Sequence, residues 1–99
     1  MAFSQWWSFT DALVAYDLNQ AGVYEFGNST NDVVYIGSTN DMKRRLKEHL
    51  GEGTTSCIKQ NAKVYRIEYT PYYLTREREL VEEFIRVYGR LPRCNSVRP

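Results

Sequence analysis

The chain of 99 residues contains little cysteine, and its cysteines are not spaced as metal ligands. Cys57 and Cys94 form no C-x-x-C pair and lie far apart in the sequence, which excludes the common zinc-binding patterns. We predict that both are free thiols in a reducing compartment, and a single disulfide between them is the alternative that stays open. The expected location is the cytoplasm.

Long hydrophobic runs are missing as well. No apolar stretch approaches the roughly 18 residues that suggest a membrane-spanning helix, and the first residues, MAFSQWW, lack the layout of a secretory signal. We therefore expect no membrane association. Repeats and linkers are absent, and 42% hydrophobic residues suffice for one modest core but not for two. We expect residues 1–99 to form a single domain.

Positive charge is missing from the first 42 residues, which contain five acids and neither Lys nor Arg. All 13 Lys and Arg residues lie after that point, together with seven of the 12 acids. The basic residues are densest at 43–47 and 86–98. Such clusters can neutralise the phosphates of a nucleic acid, although a solvated surface explains any single charge equally well. The asymmetry favours a nucleic-acid partner, even though the net charge is only +1.

Three segments have the pattern of β-strands. GVYEF (22–26) and VVYIG (33–37) are joined by six turn-forming residues and predict a β-hairpin. The alternating segment KVYRIEY (63–69) predicts a third strand. Because helical patterns separate and flank these strands, the expected fold class is α+β: a small, mainly antiparallel, three-stranded sheet flanked by helices.

The N-terminal region predicts a short helix. It begins after Ser8 or Thr10, either of which could serve as its N-cap. We expect it to form part of a helical extension over about 1–20, with Trp6 and Trp7 packed as a lid over the core.

Two longer helices are predicted further along the chain. The first covers about 40–50 and ends at Gly51, and the second covers about 71–88, with Thr70 as its N-cap and Pro71 as its first residue. The segment 52–62 is ambiguous, and a short helix within it is one interpretation.

The helix at 40–50 places an arginine and a histidine against its own apolar stripe. The stripe consists of Met42, Leu46 and Leu50. At about 100° per residue, Arg45 and His49 fall at the edge of this stripe, whereas Arg44 falls on the opposite face. A charge held against an apolar surface is costly unless it is paired, so Arg45 is expected to need a partner. A histidine at such an edge is often an ordinary core residue.

The last helix places one glutamate within an apolar stripe. The stripe consists of Tyr73, Leu80, Val81, Phe84 and Tyr88. Glu77 falls in its middle, whereas Glu79, Glu82 and Glu83 fall where solvent and neighbouring arginines account for them. An isolated inward carboxylate seldom stabilises a fold and is often a site residue.

These side chains, together with the tyrosines of the hairpin, suit the hydrolysis of a phosphodiester. An arginine can neutralise charge that develops on a phosphoryl group, and a carboxylate can hold a divalent metal. A tyrosine or histidine can take a proton from water once a cation lowers its pKa. Because lone tyrosines are more often core residues, the prediction depends on the whole set.

The hairpin resembles the motif of the GIY-YIG nuclease family. Gly22-Val23-Tyr24 stands for the first triplet, with Val in place of Ile, and Tyr35-Ile36-Gly37 stands for the second, with ten residues between the two tyrosines. The family's catalytic arginine lies eight positions after the second glycine, which is Arg45 here. Many members carry a histidine four residues later, which is His49 here. The resemblance covers roughly residues 21–95.

The resemblance also identifies Glu77 as the metal-binding glutamate of the family. In the family this glutamate is followed three and four positions later by large apolar residues, which are Leu80 and Val81 here. The helix-face argument selects the same residue independently. Asn95 is a candidate for an asparagine that often follows. Since the interval from Glu77 to Asn95 is long, the role of Asn95 stays open, as does the alternative that Glu83 is the ligand.

The resemblance implies a metal-dependent endonuclease that acts on DNA. The implied catalytic residues are Tyr24, Tyr35, Arg45, His49 and Glu77. Glu77 would bind Mg²⁺ or Mn²⁺, and one of the tyrosines would position or deprotonate the attacking water. Arg45 would stabilise the transition state, and His49 would assist proton transfer or hold the phosphate.

The implied DNA-binding residues lie on the basic helix and are Lys43, Arg44 and Lys47, which would contact flanking phosphates. Nothing in the chain encodes base readout, so specificity would require a partner protein or a feature of DNA shape. The rival hypothesis is a non-catalytic nucleic-acid-binding or interaction module that keeps the fold. A lost site would usually lack the arginine or the glutamate, and both are present.

Overall fold

A computed structural model describes residues 3–99, which form a four-stranded antiparallel sheet with helices on both faces. In chain order the elements are β1 (Trp7–Ser8), α1 (Asp11–Val14), β2 (Gly22–Gly27), β3 (Val33–Thr39), α2 (Met42–Leu50), α3 (Ser56–Asn61), β4 (Val64–Tyr69) and α4 (Tyr73–Tyr88). The strand order is β1-β4-β2-β3, so that β3 is an edge strand. Within residues 3–99 no helix has the length and hydrophobicity to cross a bilayer.

The α+β class and the hairpin are confirmed, and the number of strands is corrected from three to four. The additional strand, β1, has only two residues, which pair with Tyr65 and Val64 of β4. A segment this short shows no periodicity, because alternation needs at least four residues to be recognised. The predicted helical extension over about 1–20 therefore also contains a short strand.

The two tryptophans do not form a single lid. Trp7 packs edge-on against Tyr65 with ring centroids 5.8 Å apart, at the border of the main core. Trp6 instead stacks on the guanidinium of Arg66, at 4.4 Å from the ring centroid. Tyr65 and Arg66 are neighbours on one strand and therefore point to opposite faces of the sheet. The two tryptophans, which contact them, lie on opposite faces as well.

Helix α1 is shorter than predicted. Of the two N-cap candidates, Ser8 and Thr10, the structure uses Thr10. Its hydroxyl accepts a hydrogen bond from the Leu13 N–H. The helix covers one turn and buries Val14, whereas Leu13 and Tyr16 are exposed. The predicted helical extension over 1–20 is thus limited to Asp11–Val14 among the residues described, and residues 1 and 2 lie outside them.

Both long helices begin two residues later than predicted. The N-cap of α2 is Asp41, whose carboxylate accepts a hydrogen bond from the Arg44 N–H at 3.2 Å. Before α4, the Thr70 hydroxyl accepts a hydrogen bond from the Tyr72 N–H at 3.1 Å. Thr70 therefore closes a local turn rather than capping a helix, and Pro71 lies in that turn. The predicted helix ends at 50 and 88 are confirmed.

The sheet separates two clusters of apolar side chains. The larger cluster lies under α1, α2 and α3 and contains Val14, Tyr24, Phe26, Val34, Met42, Leu46, Ile58, Tyr65 and Ile67. The smaller lies under α4 and consists of Ile36, Val81 and Phe84. The segment 52–62, which the sequence left open, provides the short helix α3 of the larger cluster.

The free-thiol prediction is wrong, because Cys57 and Cys94 form a disulfide. They are 37 residues apart in the sequence, and the bond joins α3 to the segment that follows α4. This segment also bonds directly to the sheet, since the Cys94 N–H donates to the Val34 carbonyl at 2.8 Å. Pairing across such a separation follows from the tertiary position of the two residues, which the sequence does not display.

Close packing explains the glycines of the two triplets. Tyr24 lies opposite Gly37 in the β2–β3 register, and a Cβ on Gly37 would overlap the Tyr24 ring. A Cβ on Gly22 would overlap the carbonyl oxygen of Glu68 and the end of the Met42 side chain. Both positions therefore require a residue without a side chain.

Gly37→Ala should destabilise the fold by about 1 to 3 kcal/mol, the usual effect of forcing extra volume into a packed core. Gly53→Ala is the matched control, because its Cβ would meet no atom within 4 Å. Urea denaturation of both variants measures the difference. Equal free energies of unfolding would show that the Tyr24 ring does not rest on Gly37.

Candidate active site at the edge of the sheet

A cleft of roughly 600 Å³ opens at the free edge of β3. Its lining includes Tyr35, Arg45, His49, Glu77 and Asn95. Four of the five residues predicted to be catalytic thus meet there, from a strand and two helices that lie far apart in the sequence. The fifth, Tyr24, does not line the cleft and lies beneath it.

The position of β3 at the edge brings the two faces of the sheet together. Tyr35 lies opposite Phe26 in the register and packs at the border of the main core, on the face covered by α2. Ile36 points to the other face and packs under α4. In the middle of a sheet, neighbouring strands would keep these two faces apart. At the edge, groups from α2 and α4 can approach the same space.

Tyr24 and His49 form a buried hydrogen-bonded pair under the cleft. The Tyr24 side chain is 1% exposed, and its hydroxyl lies 2.8 Å from His49 Nε2. Burial and the neighbouring Tyr35 raise the pKa of the Tyr24 hydroxyl far above its usual value, which Arg45 only partly opposes. Tyr24 therefore keeps its proton, and we assign it as the donor to His49.

His49 is neutral at physiological pH. Its burial, followed by the positive charge of Arg45, lowers the pKa of the imidazole to about 4. The second ring nitrogen, Nδ1, lies 3.2 Å from the Thr54 hydroxyl. With Nε2 accepting from Tyr24, Nδ1 carries the proton and donates it to Thr54. The ring is thus fixed on both sides.

Arg45 is half-buried at the border of the cleft, as the helix-face argument predicted, while Arg44 is exposed. The Arg45 guanidinium donates to Glu48 at 2.9 Å, and its side chain is still 40% exposed. Partial burial alone would lower its pKa, but the bond to Glu48 and the nearby tyrosines raise the pKa above its usual value. Arg45 is therefore a permanent cation with one side open to the cleft.

The residues predicted to bind DNA lie on α2 outside the cleft. Arg44 donates to the Asn40 side chain at 2.9 Å, on the solvent side of the helix. Lys47 is exposed and Lys43 is half-buried, and neither lines the cleft.

Glu77 is the acid of α4 that reaches the cleft. It is half-buried, and its Oε1 accepts a hydrogen bond from the Ser38 hydroxyl at 2.7 Å. Among residues 3–99, no Lys, Arg or His nitrogen lies within 4.0 Å of this carboxylate. Its charge is available to a ligand.

The other acids of α4 are engaged elsewhere. Glu83 is exposed and pairs with Arg86, and Glu82 pairs with Arg98 at 3.3 Å. Neither lines the cleft. The alternative that Glu83 is the ligand would therefore require a different arrangement of this helix.

The donors around Glu77 fit a hydrated magnesium ion. Within the described part of the chain, no three His, Cys, Asp or Glu side chains converge to hold a metal. Mg²⁺ keeps several of its waters and is often bound through one or two carboxylates, while zinc requires three or four protein ligands. A single unpaired carboxylate in an open cleft therefore suits Mg²⁺ rather than zinc.

Two further side chains support the site: Asn95, which the family resemblance offers as a candidate, and Ser38, which no sequence pattern singles out. Asn95 holds the backbone of Ile36, because its Oδ1 accepts the N–H at 2.9 Å and its Nδ2 donates to the carbonyl at 3.0 Å. It therefore completes the edge of β3 as a neighbouring strand would. Ser38 contacts Glu77. Both depend on which backbone positions meet in the fold, a property that helical or strand periodicity does not encode.

Comparisons with known sequences identify relatives of this chain. Residues 20–85 match the GIY-YIG catalytic domain. UvrABC system protein C of Photobacterium profundum is 31% identical over 83 residues, which cover 78% of this chain and 13% of that protein. The uncharacterized protein YurQ of Bacillus subtilis is 31% identical over 68 residues, which cover 68% of this chain and 54% of YurQ. The chain thus spans only part of both relatives.

Solved structures share the fold. The GIY-YIG N-terminal endonuclease domain of UvrC from Thermotoga maritima, bound to magnesium, superposes with a TM-score of 0.64 at 22% identity, over 86% of this chain and 93% of that one. A point mutant of the same domain, bound to its catalytic divalent cation, gives a TM-score of 0.65 with coverage of 87% and 93%. Because the family match over residues 20–85 covers more than half of the chain and includes both triplets, the chain belongs to the GIY-YIG family.

Proposed function

We propose that this chain is a metal-dependent endonuclease that hydrolyses phosphodiester bonds in DNA. The observation that carries the proposal is the meeting of Tyr35, Arg45, His49 and Glu77 at one cleft. They provide a hydroxyl, a permanent cation, a neutral imidazole and an unpaired carboxylate. Membership of a family named for its catalytic domain supports the same activity.

Arg45 is proposed to stabilise the negative charge that develops on the phosphoryl group. Its guanidinium has five donors, and Glu48 engages Nη1. The remaining donors can face a phosphate in the cleft. A fixed cation in a partly desolvated site stabilises charge more strongly than one in water.

Tyr35 is proposed to position or deprotonate the attacking water, because it lines the cleft while Tyr24 does not. Tyr24 and His49 would assist from below. A neutral His49 can receive a proton only at Nε2, the nitrogen that accepts from Tyr24, because Nδ1 already carries one. Tyr24 thus acts through His49.

Glu77 is proposed to hold Mg²⁺ or Mn²⁺. Such an ion, when bound, would supply positive charge at the scissile phosphate. The magnesium of the Thermotoga maritima UvrC domain supports Mg²⁺ as the first choice. On this chain, the half-buried position of Glu77 and its bond to Ser38 would keep the carboxylate directed into the cleft.

The substrate is proposed to be DNA, held next to the cleft by Lys43, Arg44 and Lys47. Specificity would come from a partner protein or from DNA shape, and the similarity to a UvrABC system protein makes DNA repair the nearest biological setting. We propose the cytoplasm as the location and residues 1–99 as one working domain. The Cys57–Cys94 disulfide and the bonds of Asn95 to β3 would together hold the C-terminal segment at the cleft.

Incubation of purified protein with supercoiled, branched and single-stranded DNA, with Mg²⁺ or with a chelator, tests the proposal. We expect nicking or cleavage that depends on the metal. DNA binding without cleavage under all conditions would support the rival hypothesis, a binding module that keeps the fold.

Arg45→Ala should lower the rate of cleavage by about 10²- to 10³-fold, as expected for the loss of one group that stabilises the transition state. The fold should persist, because an exposed ion pair such as that with Glu48 contributes only about 0–1 kcal/mol. Arg44→Ala is the matched control on the opposite helix face, and should weaken DNA binding mildly and in a salt-dependent way. Similar cleavage rates in the two variants would contradict the assignment.

Tyr35→Phe and Tyr24→Phe should differ in how they affect stability. Removal of the Tyr35 hydroxyl should lower the rate on the order of 10²-fold with little change in the free energy of unfolding. Removal of the Tyr24 hydroxyl breaks a buried hydrogen bond to His49. It should therefore lower the free energy of unfolding by about 1 kcal/mol in addition to lowering the rate. Cleavage assays and thermal denaturation measure both effects. If Tyr24→Phe alone lost activity, the two roles would have to be exchanged.

Glu77→Gln should eliminate metal-dependent cleavage and weaken divalent-ion binding, because a neutral amide cannot replace the carboxylate. In the absence of metal its stability should be unchanged or raised, since an unpaired half-buried charge is lost. Glu83→Gln is the control, as Glu83 is exposed and paired with Arg86. Full activity in Glu77→Gln, with loss in Glu83→Gln, would place the metal at the other residue.

A further inference from the structure

Ser38 follows directly after the second triplet and touches the proposed metal ligand. Its hydroxyl donates to Glu77 Oε1 at 2.7 Å in a half-buried position. Among residues 3–99 it is the one side chain hydrogen-bonded to this carboxylate. Oε2 is left without a protein partner in the same part of the chain.

The geometry of β3 explains why position 38 meets α4. Residues three apart on a strand point to opposite faces, so Tyr35 points to the side of α2 and Ser38 to the side of α4. Ser38 pairs with Val23 in the register and shares its face with Ile36, which packs under α4. One strand therefore supplies the Tyr35 hydroxyl to the cleft and the Ser38 hydroxyl to Glu77.

We propose that Ser38 is a positioning residue that orients Glu77 for the divalent cation. The inference rests on the proposed function, in which Glu77 holds the metal. By occupying Oε1, Ser38 would fix the rotamer of Glu77 and leave Oε2 directed at the ion. Hydrogen bonds to a ligating carboxylate have this effect in metal sites generally, and their loss typically lowers metal affinity about 10- to 100-fold.

A serine suits this role better than a basic residue would. Its hydroxyl donates a hydrogen bond without adding a positive charge, so that the full negative charge of Glu77 remains for the cation. A Lys or Arg at the same distance would neutralise that charge and compete with the metal. The absence of any such cation within 4.0 Å of Glu77 among the described residues fits this interpretation.

Metal binding by purified variants tests the proposal without relying on activity. Titration of Mg²⁺ and Mn²⁺ by calorimetry should give a dissociation constant about 10- to 100-fold higher for Ser38→Ala than for the parent chain. Ser38→Thr, which keeps the hydroxyl, should recover most of the affinity. Ser29→Ala, in the exposed turn of the hairpin, is the control and should bind metal as the parent does.

A double-mutant cycle separates positioning from a merely structural bond between β3 and α4. If Ser38 acts through Glu77, Ser38→Ala should have no further effect on metal affinity in the Glu77→Gln background. In cleavage assays, Ser38→Ala should raise the Mg²⁺ concentration for half-maximal rate and leave the rate at saturating Mg²⁺ close to that of the parent.

The outcomes distinguish this inference from the function on which it rests. If Glu77→Gln loses metal while Ser38→Ala binds it like the parent, the positioning role is overturned and the metal site stands. If Glu77→Gln and the parent bind metal equally, or neither binds it, the proposed metal site fails and the role of Ser38 with it. If Ser38→Ala and Ser38→Thr lose affinity equally, the hydroxyl is not the cause and the inference is overturned.

Discussion

The contact between the Tyr24 ring and the backbone of Gly37 fixes the register on which the rest of the site depends. Because a one-residue slip of a strand reverses the face of every side chain, this contact decides that Tyr35 and Ser38 point to opposite sides of β3. The same contact keeps Tyr24 buried, with its hydroxyl against His49. A glycine that carries no chemistry thus determines where the chemical groups lie.

Because β3 is an edge strand, side chains from both faces of the sheet can reach one cleft beside it. An edge strand presents unpaired backbone groups that would pair with another chain unless they are covered. Here Cys94 and Asn95 cover it at Val34 and Ile36 through backbone and side-chain hydrogen bonds. The cover stops before Ser38, so the strand is protected against aggregation while the part next to Glu77 stays open.

The residues that sequence periodicity could find are those on long helices. Arg45 and Glu77 were predicted because a helix repeats its faces every 3.6 residues, and one charged side chain within an apolar stripe stands out. The positions of both relative to the cleft follow from those faces.

The remaining features depend on contacts that have no local pattern. The disulfide joins residues from α3 and the C-terminal segment, and β1 is too short to alternate. Tyr24 and Tyr35 look alike in the sequence, because each lies in a strand two residues from a glycine. Only the pairing of the strands shows that one is buried beneath the other, and only the packing of α4 on β3 brings Glu77 to Ser38.

The charges of the cleft are arranged so that a phosphate and a cation can be held together. Arg45 approaches from α2 and Glu77 from α4, and the two do not pair with each other, since Arg45 is engaged by Glu48. If they formed an ion pair, the charge of Glu77 would no longer be available to a cation. Arg45 contacts Glu48 through Nη1, which leaves its other donors for a ligand. Burial, and after it the positive charge of Arg45, lowers the pKa of His49 to about 4 and keeps the imidazole neutral. A neutral imidazole adds no positive charge that would repel a metal ion at Glu77. The positive charge of the cleft therefore stays at Arg45 on α2, and the negative charge at Glu77 on α4.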